Sequence, residues 1–400
     1  MASSNTIGSC SGTKKKLKNT IHCDGARNIR VAIPDDIMML IVSKLDIEDL
    51  QCFSAVCKSW QCIALSEKKI RHLYPRTQLP WLMLSSLEAP VTGFFSLSHG
   101  KVLRLELTEA YGARCFGSNW GWLIMVGTMG HNFLLNPFTR VVIELPPQST
   151  LPIQYDYGAF PSLLRHAPSY SHINKAMLLS APNNNKDDDC VVIAIDCNSH
   201  LAFCRIGDEV WTALGIHFED IIFYNGKLFG ISRKFVLKIV ELCLDPKVTS
   251  CNIPPPADED LSLPTKKLKK SFYLVECLGE LLMVIKCYFH DELGYLEKLV
   301  FKIFKLDLKG GSWIKVEDLG DQMLFIGKST ALSISARDYP GFKGNCIYYT
   351  KNEEARFVDA FISETAAELV HLEDNRIEPF ISNDSGVCLC SPIWFTPFSW

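Results

Sequence analysis

Residues 33–60 read IPDDIMMLIVSKLDIEDLQCFSAVCKSW, and the way this stretch folds constrains the reading of everything after it. Pro34 suits the first turn of a helix, where its missing N–H would be unpaired anyway. Asp35 and Asp36 place negative charge at the positive end of the helix dipole. Residues 37–42 are then all apolar. One stripe, made of Ile37, Leu40, Ile41, Lys44 and Leu45, is expected to face the module's own core. Met38, Met39 and Val42 would lie on the opposite side. A helix that is apolar all round has to be buried all round, and a module of roughly forty residues needs outside help to achieve that.

A second helix is expected after Asp46, a capping residue with Asp49 three positions on. Leu50, Phe53, Val56, Cys57 and Trp60 recur there at helical spacing. A third helix is expected over 61–73, ending before Pro75. Two readings satisfy this pattern: a helical subdomain packed on the rest of its own chain, or one that offers a face to another protein. The residues Ile33-Pro34, Ile41, Leu45, Asp49-Leu50, Val56-Cys57 and Trp60 follow the order and spacing of the F-box, which the stretch closely resembles. Met38-Met39 stands where that family more often has a charged pair. The resemblance implies that Ile33, Pro34, Ile37, Ile41, Leu45, Leu50, Val56, Cys57 and Trp60 build or present a surface for a Skp-family adaptor, and through it a cullin.

The 400 residues suffice for two or three domains. With 48% hydrophobic and 21% charged residues, a sizeable core is expected. The net charge of −3 gives no overall bias toward nucleic acid or anionic membrane. No apolar run nears the roughly eighteen residues of a membrane span. Residues 1–13 are polar and carry no hydrophobic signal segment, so the protein is expected in the nucleus, the cytoplasm or both. The sixteen cysteines include no C-x-x-C pair. Reduced thiols acting as small hydrophobes are expected, with no metal and no cofactor.

Residues 1–30 read as a disordered tail with a basic cluster at 14–18. The helical module follows over 31–74, and 75–80 is a short linker. From 81 to 400 the texture is all-β: short apolar or alternating runs broken by Gly, Asn, Asp and Pro. The segments 120–126, 224–231 and 278–284 each carry a Gly turn leading into an apolar strand. Gly121 and Gly226 are 105 residues apart, about twice the 53 between Gly226 and Gly279. A unit near fifty residues is in the range of kelch-type blades, although an irregular β-sandwich also fits. A second element, a turn into a strand with Trp211 or Trp313, also recurs. Trp122, Trp211 and Trp313 are expected in the core. Asn136-Pro137 suits a turn, and Leu145-Pro146-Pro147 ends a strand. Residues 183–189 and 254–270 read as exposed loops. The lysines at 266–270 are taken as solvated, since no interleaved aromatics offer a nucleic-acid platform.

Joint order is more specific than any one motif. Pro80-Trp81-Leu82, Phe94-Phe95-Ser96-Leu97, Gly117-Ser118, Leu135-Asn136-Pro137-Phe138, Leu324-Phe325-Ile326-Gly327, Cys346-Ile347-Tyr348-Tyr349 and Trp394-Phe395-Thr396-Pro397 occur in an order similar to plant F-box proteins with a C-terminal KIB-type β-propeller. The resemblance implies a mainly β chain, a three-helix F-box followed by a propeller-like domain. It also implies a non-catalytic substrate receptor of a Skp–cullin–F-box ubiquitin ligase, whose β domain binds a target protein. The alternative is an interaction module that sequesters its partner without directing degradation. The family supplies no catalytic residues. Gly327-Lys328-Ser329-Thr330 imitates the tail of a P-loop, but Gln322 occupies the position of that motif's first Gly, so no nucleotide site is expected.

Overall fold

In the computed structural model of the chain, the described residues are 33–45, 47–73, 78–84, 90–151, 173–182, 190–242, 246–263, 268–291, 296–328, 331–350, 365–382 and 392–397. The expected tail over 1–30, the Asp46 cap and the 183–189 loop lie outside them.

Three helices come first: α1 (Asp35–Val42), α2 (Ile47–Val56) and α3 (Lys58–Leu73). The carbonyl of Pro34 accepts the Ile37 and Met38 N–H groups at 3.0 Å and so opens α1. The core stripe of α1 is the reverse of the expected one. Met38 and Val42 are buried with Leu50, Phe53 and Ala64, while Ile37, Leu40 and Ile41 face out. Leu45, just past the helix, packs against this core with Trp60 and Ile63. The physical reason is that a helix apolar on every side has no hydrophobic phase, so spacing alone cannot choose between two i, i+4 pairs.

The rest of the described chain forms six four- or five-stranded sheets, the blades of a β-propeller. Blade 1 holds β1 (Trp81–Leu84), β2 (Val91–Ser96) and β3 (Lys101–Glu106). Blade 2 holds β4 (Arg114–Asn119), β5 (Trp122–Val126), β6 (Asn132–Leu135) and β7 (Val142–Leu145). Blade 3 is β8 (Ile173–Leu178), β9 (Val191–Asp196), β10 (His200–Arg205) and β11 (Thr212–His217). Blade 4 is β12 (Asp220–Tyr224), β13 (Lys227–Ile231), β14 (Leu237–Glu241) and β15 (Lys247–Ser250). Blade 5 is β16 (Leu268–Cys277), β17 (Glu280–His290), β18 (Leu296–Asp307) and β19 (Ser312–Val316). Blade 6 is β20 (Gln322–Ile326), β21 (Ala331–Ser335), β22 (Cys346–Thr350), β23 (Thr365–His371) and β24 (Arg376–Ser382). Finally β25 (Ile393–Phe395) pairs antiparallel with β1 and completes blade 1 from the inside.

The sequence likenesses now have a physical meaning. Trp120-Gly121, Asn225-Gly226 and Leu278-Gly279 are the central residues of the turns joining the two inner strands of blades 2, 4 and 5. All six have φ between 48° and 76°, which is the type I′ hairpin. The spacing of 105 residues is therefore two blades and that of 53 is one. Trp211 and Trp313 enter the outermost strands of blades 3 and 5, both buried. The Trp211 indole N–H donates to the Pro146 carbonyl at 2.9 Å, tying blade 3 to blade 2. Trp122 is buried in the same cluster.

Continuous apolar runs such as those of β5, β9 and β20 are middle strands covered on both faces by neighbouring blades. Outer strands such as β3 and β11 alternate or are exposed. Among the described residues the apolar core of the propeller is divided into six clusters, one between each pair of adjacent blades. Leu79, at the end of the expected linker, is buried in the seam between blades 6 and 1. The expected turn at Asn136 is present, its side-chain oxygen accepting the Phe138 and Thr139 N–H groups at 3.1 and 3.0 Å. The strand before Pro146 ends at Leu145 as expected.

Two features depart from expectation. Blade 6 is threaded out of order: β20 pairs antiparallel with β21 and parallel with β22, so β21 stands innermost. Of the Gly-Lys-Ser-Thr stretch, Gly327 and Lys328 directly follow β20, and residues 329–330 lie outside the described residues. The segment 254–270 is also not simply a loop in solvent. Leu268, fully buried, starts β16. The Lys270 ammonium donates to the Leu261 carbonyl at 2.9 Å and lies 5.1 Å from the centre of the Phe235 ring. Lys302 reaches from β18 to both Asp258 (2.6 Å) and Asp260 (2.9 Å).

This clamp gives a pH prediction. Hydrogen bonding to Lys302 holds the Asp260 carboxyl below its ordinary 3.8. Its contribution to stability is then present above 3.8 and lost as pH falls through the lower folded value. Urea midpoints of the wild type and Asp260→Asn are expected to differ slightly near neutrality and to converge in acid. The difference is small because Asp260 is largely exposed.

Candidate functional site

Two surfaces stand out. The first lies on the helices. Ile37, Leu40 and Ile41 recur at i, i+3 and i+4 and so share one face of α1; they are 48%, 61% and 42% exposed. Ile33 and Pro34 precede them and are also exposed. Val56, at the end of α2, is 60% exposed, and Cys57 is half-buried. Leu45 and Trp60 are half-buried, and Trp60 stacks on Phe53 with ring centres 4.4 Å apart. Leu50 is 1% exposed and belongs to the module's own core. The nine residues expected at an adaptor surface thus divide into an outward set (Ile33, Pro34, Ile37, Ile41, Val56) and a set that supports it from within. Leu40 and Leu65 are outward apolar residues outside the expected set. Leu65 had a signal: it lies off the Trp60, Ile63, Ala64, Glu67 stripe that turns to the core in α3.

The second surface is one end of the propeller axis. The inner strands β4, β8, β12, β16 and β21 surround a cavity of about 410 Å³. Asn119 donates to the Leu178 carbonyl (2.5 Å) and accepts the Leu178 N–H (2.9 Å), joining β4 to β8. Lys175 on β8 forms a buried ion pair with Asp220 on β12. The second Asp220 oxygen accepts the Leu274 N–H at 2.6 Å, which brings in β16. Burial pushes the Asp220 carboxyl up, against the pull of Lys175 and of the Leu274 and Ile221 N–H groups. Ser333 on β21 donates to the Glu276 carbonyl at 2.8 Å. One chain of polar contacts therefore laces five inner strands together around the hub. No substitution of Gly117 fits beside this lacing, because a Cβ there would collide with the Ala176 backbone carbonyl on β8.

The profile of the family described as KIB1-4 beta-propeller matches residues 94–380. The chain belongs to this family. An F-box-like profile matches residues 31–76, so the three helices are the F-box that precedes the KIB1-4 propeller. The F-box/kelch-repeat protein At1g57790 of Arabidopsis thaliana is 25% identical over 359 residues, covering 84% of this chain and 88% of its own length. The F-box protein At3g56470 of the same plant is 24% identical, covering 81% and 83%. Among solved structures, the N-terminal domain of Nup159 aligns with a TM-score of 0.33 at 10% identity, over 60% of this chain and 62% of that one. The expected order, F-box then KIB-type propeller, thus holds over nearly all of the chain. The pairing of these two domains gives the chain a substrate-adaptor role.

The hub of the KIB1-4 propeller makes its own prediction. Lys175→Met leaves the Asp220 carboxylate buried without its counter-charge, and a loss of about 3–5 kcal/mol is expected. Adding Asp220→Asn removes that charge while keeping an acceptor for the Leu274 N–H. The double variant is expected to recover much of the loss in denaturant unfolding.

Proposed function

We propose that the chain is the non-catalytic substrate receptor of a Skp–cullin–F-box ubiquitin ligase, acting in the nucleus, the cytoplasm or both. The observation that carries the reading is the outward apolar face of the F-box: Ile33, Ile37, Leu40, Ile41 and Val56. The module already has a core, built on Met38, Val42, Leu50, Phe53 and Ala64. The outward residues are surplus to it. Each such side chain contributes roughly 1.5–3 kcal/mol when a partner helix or groove covers it, so a few of them support a stable complex with a Skp-family adaptor. Pro34 and the half-buried Cys57, Leu45 and Trp60 shape the edges of that face, and Leu50 holds it up from below. The propeller, with its own six-part core, holds the target protein.

The test is mass spectrometry of proteins co-purified with the full-length wild type and with Ile37→Asp. The adaptor and cullin are expected with the first and absent from the second, while the target is expected with both. An adaptor recovered equally with both proteins would reject the interface. A target that is bound, with unchanged turnover in cells, would assign sequestration in place of degradation.

A further inference from the structure

The three type I′ turns of blades 2, 4 and 5 do the same structural job with different residues. Asn225-Gly226 is the pair that such a turn favours, since Asn tolerates the left-handed region. Its counterparts are Trp120 at φ 55° and Leu278 at φ 52°. Bulky residues are strained there. Nor does burial compensate them: Leu278 is 78% exposed and Trp120 39%. Both positions lie at the same end of the inner strands, where Trp120 follows the cavity-lining Asn119. Leu278 lines that cavity together with Asn119, Lys175, Met177, Phe223 and Glu276. Met129, another exposed apolar residue at positive φ, sits at the opposite end of β5, away from it.

The floor and the charge of this mouth restrict what it accepts. Among the described residues Lys175 makes one side-chain hydrogen bond, to Asp220, which leaves ammonium donors for an acceptor such as a peptide carbonyl. The ionised Lys175–Asp220 pair has no net charge. Glu276 is then the one charged lining residue without a counter-ion among the described residues, and it is exposed. The surroundings are Met177, Phe223 and Leu278, with Trp120 beside Asn119. A carboxylate sharing a cavity with the exposed Phe223 ring suits a lysine or arginine, through charge and cation–π contact. An acidic segment is repelled by the same arrangement.

We propose that the channel mouth framed by Met177, Phe223, Glu276 and Leu278 receives an extended peptide segment of a partner protein that carries an apolar side chain beside a lysine or arginine. The apolar side chain enters the 410 Å³ cavity, Lys175 donates to a backbone carbonyl, and Glu276 pairs with the basic group. This rests on the receptor reading and names the part of the propeller that holds the target.

A phage-displayed library of random dodecapeptides, selected on immobilised full-length protein, tests the proposal. The wild type is expected to enrich an apolar residue next to Lys or Arg. Glu276→Lys is expected to exchange that basic preference for Asp or Glu. Leu278→Asn turns a strained pair into the favoured Asn-Gly, so its Tm should equal or exceed that of the wild type. A synthetic peptide of the enriched sequence should bind this variant at least tenfold more weakly by fluorescence anisotropy. No enrichment, enrichment of sequences without basic residues, or equal binding of that peptide by the wild type and Leu278→Asn would overturn the site. Adaptor pull-down of the same three preparations reads the receptor assignment separately, because neither substitution touches the F-box.

Discussion

Trp394→Ala is expected to lower the stability of the propeller by about 3–5 kcal/mol, seen as a fall in Tm on the order of 10 °C. The reason is position as much as size. β25 is three residues long, and its alternation divides it between two seams. Trp394, fully buried, packs between blades 6 and 1; Ile393 and Phe395 pack between blades 1 and 2. The Trp394 ring meets Phe325 edge-on with centres 5.3 Å apart, and its indole N–H donates to the Ile326 carbonyl at 3.0 Å. Alanine removes the ring, leaves a cavity and strips that carbonyl of a partner. Trp394→Phe keeps most of the packing and loses the hydrogen bond, at roughly 1–3 kcal/mol for the unsatisfied carbonyl. An alanine variant with the Tm of the wild type would mean that β25 does not close the ring.

Ile37→Asp is expected to weaken adaptor binding a hundredfold or more while the circular dichroism and Tm of the free protein stay as they were. In the free chain position 37 is half in water, so an aspartate there stays solvated. Under an adaptor the same carboxylate has to be desolvated against apolar groups, which costs several kcal/mol unless it finds a partner, and the apolar contact is lost as well. Leu50 does not serve for the same test. Leu50 is fully enclosed, so an aspartate there melts α2, and a lost pull-down would report unfolding. Equal adaptor binding by Ile37→Asp and the wild type would remove the outward face of α1 from the interface.

How far the chain could be read in advance differs from element to element. The Gly turns of blades 2, 4 and 5 were visible as repeats because a type I′ turn restricts residue choice. Their 105- and 53-residue spacings already contained the blade length. The buried Trp122, Trp211 and Trp313 and the turn at Asn136 were legible for similar local reasons. The orientation of α1 was not, since a uniformly apolar helix carries no phase. The Lys302 clamp on Asp258 and Asp260 joins residues more than forty apart, and nothing in local composition announces it. The same holds for blade 6, where β21 inserts inside β20: both strands have ordinary β sequences, and only the neighbouring blade decides which lies innermost. At the candidate sites, the resemblance picked out the F-box residues without sorting those that face out from those that face in. Trp120 and Leu278 were on view as turn neighbours. Their significance needed φ and exposure together.

The way the buried side chains are distributed has a further consequence. The six apolar seams run between blades, whereas the axis adds an ion pair, an amide and backbone donors to a lining that also holds Phe223, Leu274 and Leu278. Apolar cohesion is therefore concentrated in the seams, peripheral to the polar lacing of the hub. A substitution at an exposed mouth residue such as Glu276 or Leu278 alters what is held there without loosening the joints that keep the ring shut. Such a domain can be retuned toward a new client by a few exchanges at exposed positions of the mouth while the buried Lys175–Asp220 pair is kept.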